Sequence, residues 1–202
     1  MSEWIISTIT QWGYFGIFLL MVAENIFPPI PSELIMPFAG FAAAQGNLDF
    51  WGVLIAGTLG SLVGTSAWYG AARLLGLTRF HWLCNKLGRV ATLNEKDIDM
   101  AVAWFDRYGP LAILIGRLIP AIRTLISVPA GLAAMPFAKF LAISALGTLV
   151  WTAVLTIAGL ILHEGYEIVE GWIDPVSTGV VILIVLIYIW RFITWKPIKN
   201  IG

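Results

Sequence analysis

The chain has 202 residues, 59% of them hydrophobic and only 12% charged, whereas soluble domains are about 45–50% apolar with glycine included and about 25% charged; an ordinary soluble domain is excluded. Twelve Lys and Arg balance twelve Asp and Glu, which leaves no basic excess to neutralise a nucleic-acid backbone, so no nucleic-acid partner is expected. The single cysteine, Cys84, cannot close an internal disulfide, and His81 and His163 lie too far apart for metal-ligand spacing; neither a metal nor a cofactor is expected.

In chain order, the first apolar stretch, Trp12–Gln45, is too polar and too broken for one clean span. It carries Glu24 and Glu33 in its middle and the prolines Pro28, Pro29, Pro31 and Pro37. Ahead of it there is no positive leader region and no small-residue cleavage site, so no removed signal peptide is expected. Phe50–Ala72 follows as 23 residues without a charge, long enough to cross a hydrocarbon core of about 30 Å. Its Gly57, Gly60 and Gly64 put small residues on neighbouring turns, which serves close helix packing and in some proteins a homodimer. Residues 77–107 form a basic loop with Arg79, Lys86, Arg89, Lys96 and Arg107. There Asn94 can cap an amphipathic helix whose Ile98, Val102 and Phe105 share a face, suited to lying along the membrane surface.

The second broken stretch, Gly109–Met135, holds Arg117 and Arg123 with Pro110, Pro120 and Pro129, and Pro136 stands at its edge. Phe140–Leu162 is again 23 residues without a charge. An acidic connector, His163–Asp174, contains Glu164, Glu167, Glu170 and Asp174 and no Lys or Arg. Pro175–Trp195 is a third span with Arg191 near its end, and residues 196–202 form a tail with Lys196 and Lys199.

A proline removes a backbone donor and breaks a helix, and broken backbone at membrane depth is tolerated only where protein buries it or it lines a cavity. Both broken stretches therefore read as re-entrant helical hairpins. By the positive-inside rule the basic loop and the tail lie in the cytoplasm and the acidic connector outside; three spans satisfy this if the hairpins turn back without crossing. The order hairpin, span, loop, hairpin, span is an inverted repeat, and the run Pro37–Ala44 is similar to Pro129–Met135 with a slip of one residue. The predicted fold is an all-α integral membrane protein with two opposed re-entrant helical hairpins in an inverted repeat plus three transmembrane helices. It forms one domain over residues 1–202: a first repeat at 12–76, a cytoplasmic loop at 77–107, a second repeat at 109–162, a final span at 175–195 and a cytoplasmic tail.

Four charges thus flank proline breaks inside apolar sequence. Each costs about 2.5–3.5 kcal/mol at the centre of a span, so four unpaired charges would cost on the order of 10 kcal/mol, comparable with a whole domain's stability. They must meet one another, water or a ligand. One reading is a neutral Glu–Arg network that only pins the two hairpins together. The other makes Arg117 and Arg123 the holders of an anion, because a guanidinium offers a planar fork matched to phosphate oxygens and helix N-termini after a break add partial positive charge. Glu24 and Glu33 are then counter-charges when the site is empty and proton carriers or gates, and Pro28, Pro31 and Pro120 keep the helices broken around the site. Both proline breaks are expected near midplane, where Glu24 and Arg117 can approach. No phosphate-binding loop, no nucleophile elbow and no zinc-protease motif is present, so no enzyme is expected. Tyr69, Tyr108, Trp68, Trp104 and Trp172 are assigned to interfacial belts.

Glu24, Pro28, Pro31 and Glu33, together with Gly116, Arg117, Pro120, Arg123, Ala130, Gly131, Met135 and Phe140, carry a resemblance to the DedA family, the bacterial branch of the wider VTT or SNARE-associated Golgi protein group. Gly60, Gly64, Tyr69, Gly70, Arg73 and Gly76 between them are similar too, although Thr65 stands where many members have an acid. The resemblance covers about Trp12 to Leu162. It implies the two opposed hairpins, a bacterial cytoplasmic (inner) membrane location, dependence on the proton motive force and translocation of a lipid, with Glu24, Glu33, Arg117 and Arg123 as functional positions. The expected function is a flippase for a phosphate-bearing lipid, undecaprenyl phosphate first and a glycerophospholipid second. The alternatives are a proton-coupled cation or small-solute antiporter, which would use the acids, and a membrane scaffold without transport.

Overall fold

The computed structural model describes residues 2–26, 32–91, 95–119 and 122–161, together with Leu186, Ile189, Trp190, Ile193 and Thr194. Every regular element among them is helical: α1 (Ser2–Ile26), α2 (Ser32–Ala44), α3 (Phe50–Ala91), α4 (Glu95–Tyr108), α5 (Pro110–Arg117), α6 (Ser127–Leu132) and α7 (Phe137–Ile161). Among the described residues three stretches are long and apolar enough to cross a membrane, Trp4–Ile26, Phe50–Trp82 and Phe137–Ile161. The second and third contain the expected spans at Phe50–Ala72 and Phe140–Leu162, the latter up to Ile161. The expected span at Pro175–Trp195 falls outside the described residues apart from the five named, as do the acidic connector, the tail and Asn94.

The helical segment ahead of Trp12 was not foreseen. α1 starts at Ser2, ahead of Trp12, because Ser7, Thr8 and Thr10 hide their hydroxyls on carbonyls of their own helix at 2.8–2.9 Å while Ile5 and Ile9 are buried in the core. A hydroxyl satisfied in this way no longer marks the end of an apolar segment. The helix is not a straight rod. Gly13 takes φ 53 and ψ −130, a conformation that only glycine adopts without strain, and the chain turns so sharply that a Cβ on Gly16 would lie 2.6 Å from the Thr8 carbonyl. Residues 14–26 then make a straight arm of about 20 Å. A second glycine repeats the device, for Gly109 has φ 51 and ψ −126 directly before α5.

Pro110 stands in the first turn of α5, where the missing N–H would be unpaired in any case. Pro37 is tolerated inside α2, so not every proline of the two stretches breaks a helix. Pro28, Pro31 and Pro120 lie outside the described residues.

α1 packs on α3 and α2 on α7, while α5 packs on α7 and α6 on α3. In lipid there is little hydrophobic drive between helices, so close approach over small residues does the holding. Gly52 faces the Tyr14 ring, Gly60 the Phe18 carbonyl and Gly64 the Asn25 side chain, so residues 14–26 run parallel to α3, and Gly57 faces Met36 of α2. The glycines read as a packing or dimerisation stripe therefore seat this chain's own helices. Asp49 N donates to Tyr14 Oη at 2.7 Å, which brings the end of the α1–α2 pair beside its start. The two glycines of the similar runs perform matching tasks: Gly40 lies against the Thr156 carbonyl of α7 and Gly131 against the Tyr69 carbonyl of α3. In the amphipathic helix α4, Ile98 and Phe105 are buried as its sequence pattern predicts, and it packs on α5 and α6.

Candidate functional site

The fold sorts the four charges of the two breaks unequally. Glu24 lies in the last turn of α1 and Arg123 in the turns leading into α6; both are buried, and Arg123 Nη2 donates to Glu24 Oε1 in an ion pair. Asn25 Nδ2 supports the acid by donating to Glu24 Oε2 at 2.9 Å, and it also reaches the Met21 carbonyl at 2.8 Å and Ser61 Oγ of α3 at 3.1 Å. Thr124 Oγ1 donates to Asn25 Oδ1 at 3.4 Å from the other break. The Trp68 indole donates to the Asn25 carbonyl at 2.8 Å, satisfying one acceptor that the end of α1 leaves open. On the far side Arg123 lies 5.9 Å from the Trp151 ring centre, and the Trp151 indole points to Ser32 Oγ at 3.5 Å. Glu24, Asn25, Arg123 and Thr124 thus join the two breaks across 99 residues of sequence.

Arg117 is held apart from this pair. It ends α5, is 2% exposed, and sits against α7 where Gly147 leaves room for its stem. Its Nη2 donates to Ser127 Oγ at 3.2 Å and Ser144 Oγ at 3.1 Å, and the guanidinium lies 5.8 Å from the Phe140 ring centre. Its Nε has no hydrogen-bond partner, and no carboxylate pairs with it among the described residues. The expected approach of Glu24 to Arg117 is replaced by Glu24 to Arg123, because α6 packs on α3, beside α1, and carries the preceding turns with it. Glu33 is half-buried in the first turn of α2 and has neither an ion pair nor a hydrogen bond to its side chain among the described residues.

The sequence reading missed Asn25, Ser127, Ser144 and Trp151. A signal for Ser144 was present: Ser144, Thr148, Thr152 and Thr156 recur every fourth residue, and all four are buried on one face of α7, with Thr152 Oγ1 3.2 Å from Thr58 Oγ1 of α3. Tyr69 is corrected. It is 4% exposed, stacks on Phe140 at 4.4 Å, and with Arg73 donates to the Met135 carbonyl, so it belongs to the packed interior and not to an interfacial belt. Trp68 keeps a half-exposed ring but spends its N–H on the break. Tyr108 and Trp104 are exposed and pack on each other at 5.2 Å, whereas Trp172 lies outside the described residues.

Residues 30–161 match the VTT domain. The chain is 43% identical over 190 residues to the alkaline phosphatase-like protein of Lactococcus lactis subsp. lactis, covering 94% of this chain and 89% of the relative. It is 34% identical over 190 residues to undecaprenyl phosphate transporter A of Staphylococcus aureus, covering 93% of this chain and 94% of that one. Against undecaprenyl phosphate transporter A of Bacillus subtilis the identity is 30% over 192 residues, with 95% and 93% covered. No solved structure matches the chain. A domain match from residue 30 to 161, which takes in α2 to α7 and the second break, with relatives aligned over nearly their whole length, makes this chain a member of the VTT domain family, the DedA group of membrane proteins.

Proposed function

We propose that the chain carries a phosphate-bearing membrane lipid across the bacterial cytoplasmic membrane, passing the headgroup through the polar site between the two breaks. The observation that supports this most is Arg117: a buried guanidinium with an unspent Nε donor and, among the described residues, no carboxylate paired with it, while Glu24 and Arg123 already neutralise each other. Buried cations are normally paired, and an oxyanion is the partner whose geometry a guanidinium fits. Undecaprenyl phosphate is the first substrate, in keeping with the names of the Staphylococcus and Bacillus relatives, and a glycerophospholipid is the second.

In this reading the two broken stretches are opposed re-entrant hairpins. Residues 14–26 and α2 (Ser32–Ala44, 13 residues) are each about 20 Å long, short of a hydrocarbon core of about 30 Å. The matched backbone at Gly13 and Gly109 and the exchanged packing of α2 and α6 support an inverted repeat. Phosphate would compete with Glu24 for Arg123, and the released carboxylate would take a proton, which couples transport to the proton gradient; Glu33 is a second acid for that step. We read the role as that of a carrier: the buried serines stand beside an arginine, and among the described residues no base is hydrogen-bonded to either of them to activate it. A cation antiporter is disfavoured by the same pairing, since Glu24 is committed to Arg123.

The test is reconstitution in liposomes with either lipid. Faster movement of undecaprenyl phosphate than in protein-free vesicles supports the reading, and equal slow movement of both lipids with and without protein ends it.

A further inference from the structure

Ser127 begins α6 and Ser144 lies two turns into α7, and both are fully buried at Arg117. Each accepts a hydrogen bond from Arg117 Nη2. A hydroxyl that accepts still has its own hydrogen to give, yet among the described residues neither serine donates to anything. The common outlet for a hydroxyl on a helix is a carbonyl three or four residues earlier, and Thr65, Thr152 and Thr156 all use it, at 2.7–2.8 Å for Thr65 and Thr156 and 3.0 Å for Thr152. The two serines depart from that habit. Around one buried positive charge there are thus two unspent O–H donors and an unspent Nε–H, with no carboxylate among the described residues to receive them.

We infer that Ser127 and Ser144 are anion-contacting residues, which with Arg117 form a donor set for the oxygens of a phosphate monoester. This rests on the phosphate-carrier reading and adds to it a basis for choosing the headgroup. A monoester presents three terminal oxygens and about −1.5 to −2 charges, whereas the diester of a glycerophospholipid presents two and a single charge. Three donors at a lone cation favour the monoester, whether free or at the end of a lipid. The plain alternative is that the serines only solvate the guanidinium. In that case their loss weakens the fold but leaves the choice between monoester and diester unchanged.

The experiment measures binding by the full chain in detergent, with three probes: farnesyl phosphate, inorganic phosphate and a short-chain phosphatidylethanolamine. Ser127→Ala and Ser144→Ala should each weaken farnesyl phosphate about tenfold, the loss of one hydrogen bond to a charged group, and move the diester by less than about twofold. Ser→Cys at either position keeps the shape with a weak donor and should act as Ala does, which covers an alanine variant that fails to fold. Ser→Thr, which keeps the hydroxyl, should retain monoester binding. Folded Ala and Cys variants that bind farnesyl phosphate as wild type does, or that lose both lipids by the same factor, overturn the assignment. If Arg117→Lys loses the monoester while the serine variants keep it, only the serine assignment falls; if wild type binds no phosphate probe, the carrier reading falls with it. Tighter binding of farnesyl phosphate than of inorganic phosphate places the site on a lipid headgroup, and equal serine-dependent binding of the two places it on free phosphate.

Discussion

Burial makes the Glu24–Arg123 pair a constraint whose halves cannot be removed singly. Deleting one partner of a buried pair leaves the other charge uncompensated, at a cost of about 3–5 kcal/mol. Glu24→Ala should therefore lower the unfolding temperature in detergent well beyond Glu33→Ala, whose half-buried side chain has no ion pair to lose among the described residues. Glu24→Gln keeps a hydrogen-bond acceptor against Arg123, so it should lose less stability than Glu24→Ala, and the transport of the folded variant should no longer respond to an imposed pH gradient. Retention of the wild-type gradient response in both Gln variants, at Glu24 and at Glu33, would remove the acids from the coupling. Arg117→Lys keeps the charge and loses the fork, so lipid movement should fall by about tenfold or more, the worth of one charge-assisted hydrogen bond. A cation antiporter would tolerate that change. The sequence shows that the four charges must be satisfied, because their cost in lipid is legible from composition alone. It does not show who meets whom: Glu24 and Arg123 are 99 positions apart, and their meeting is decided by α6 packing across onto α3.

At the scale of elements, two glycines decide where the arms begin. The proline clusters made the breaks readable, but Gly13 and Gly109 carry no such mark, since a lone glycine in an apolar run is as often a packing residue. Their shared backbone, φ 53 and ψ −130 against φ 51 and ψ −126, is a property of the folded chain. An alanine forced into that region is strained by about 1–3 kcal/mol. Gly13→Ala and Gly109→Ala should each lower the melting temperature in detergent, while Gly46→Ala, whose φ is 77 in an exposed turn with open space around it, tests how much of the loss is backbone strain alone. A larger effect at Gly13 and Gly109 than at Gly46 assigns the excess to misplacing the arm that follows. A larger side chain at Gly40, which meets the α7 backbone at Thr156, should have the greatest effect of the series, because backbone has no rotamer to yield. The matching glycine at Gly131 was legible in the similar runs, and so was the face of α4; the long helix before Trp12 was not, because its hydroxyls are satisfied within the helix.

For the whole molecule the arrangement depends on which side of the membrane each connection occupies. If α1–α2 and α5–α6 are opposed re-entrant pairs, the α2–α3 turn at Asn47 lies outside, the basic loop at Asn94 inside, Gly165 in the acidic connector outside and Lys199 inside. The parallel run of residues 14–26 along α3 and the closure of Asp49 onto Tyr14 favour this for the first pair, since a chain that crossed at residues 14–26 and did not return would end far from its start. Single cysteines at those four positions, in a Cys84→Ser background, should divide two and two toward an impermeant thiol reagent added to intact cells: Asn47→Cys and Gly165→Cys react, and Asn94→Cys and Lys199→Cys react only after permeabilisation. Labelling of Asn94→Cys together with Gly165→Cys from the same side would break the inverted repeat. The Glu24–Arg123 pair would then no longer join arms from opposite faces, and a headgroup reaching Arg117 would have a path from one leaflet only.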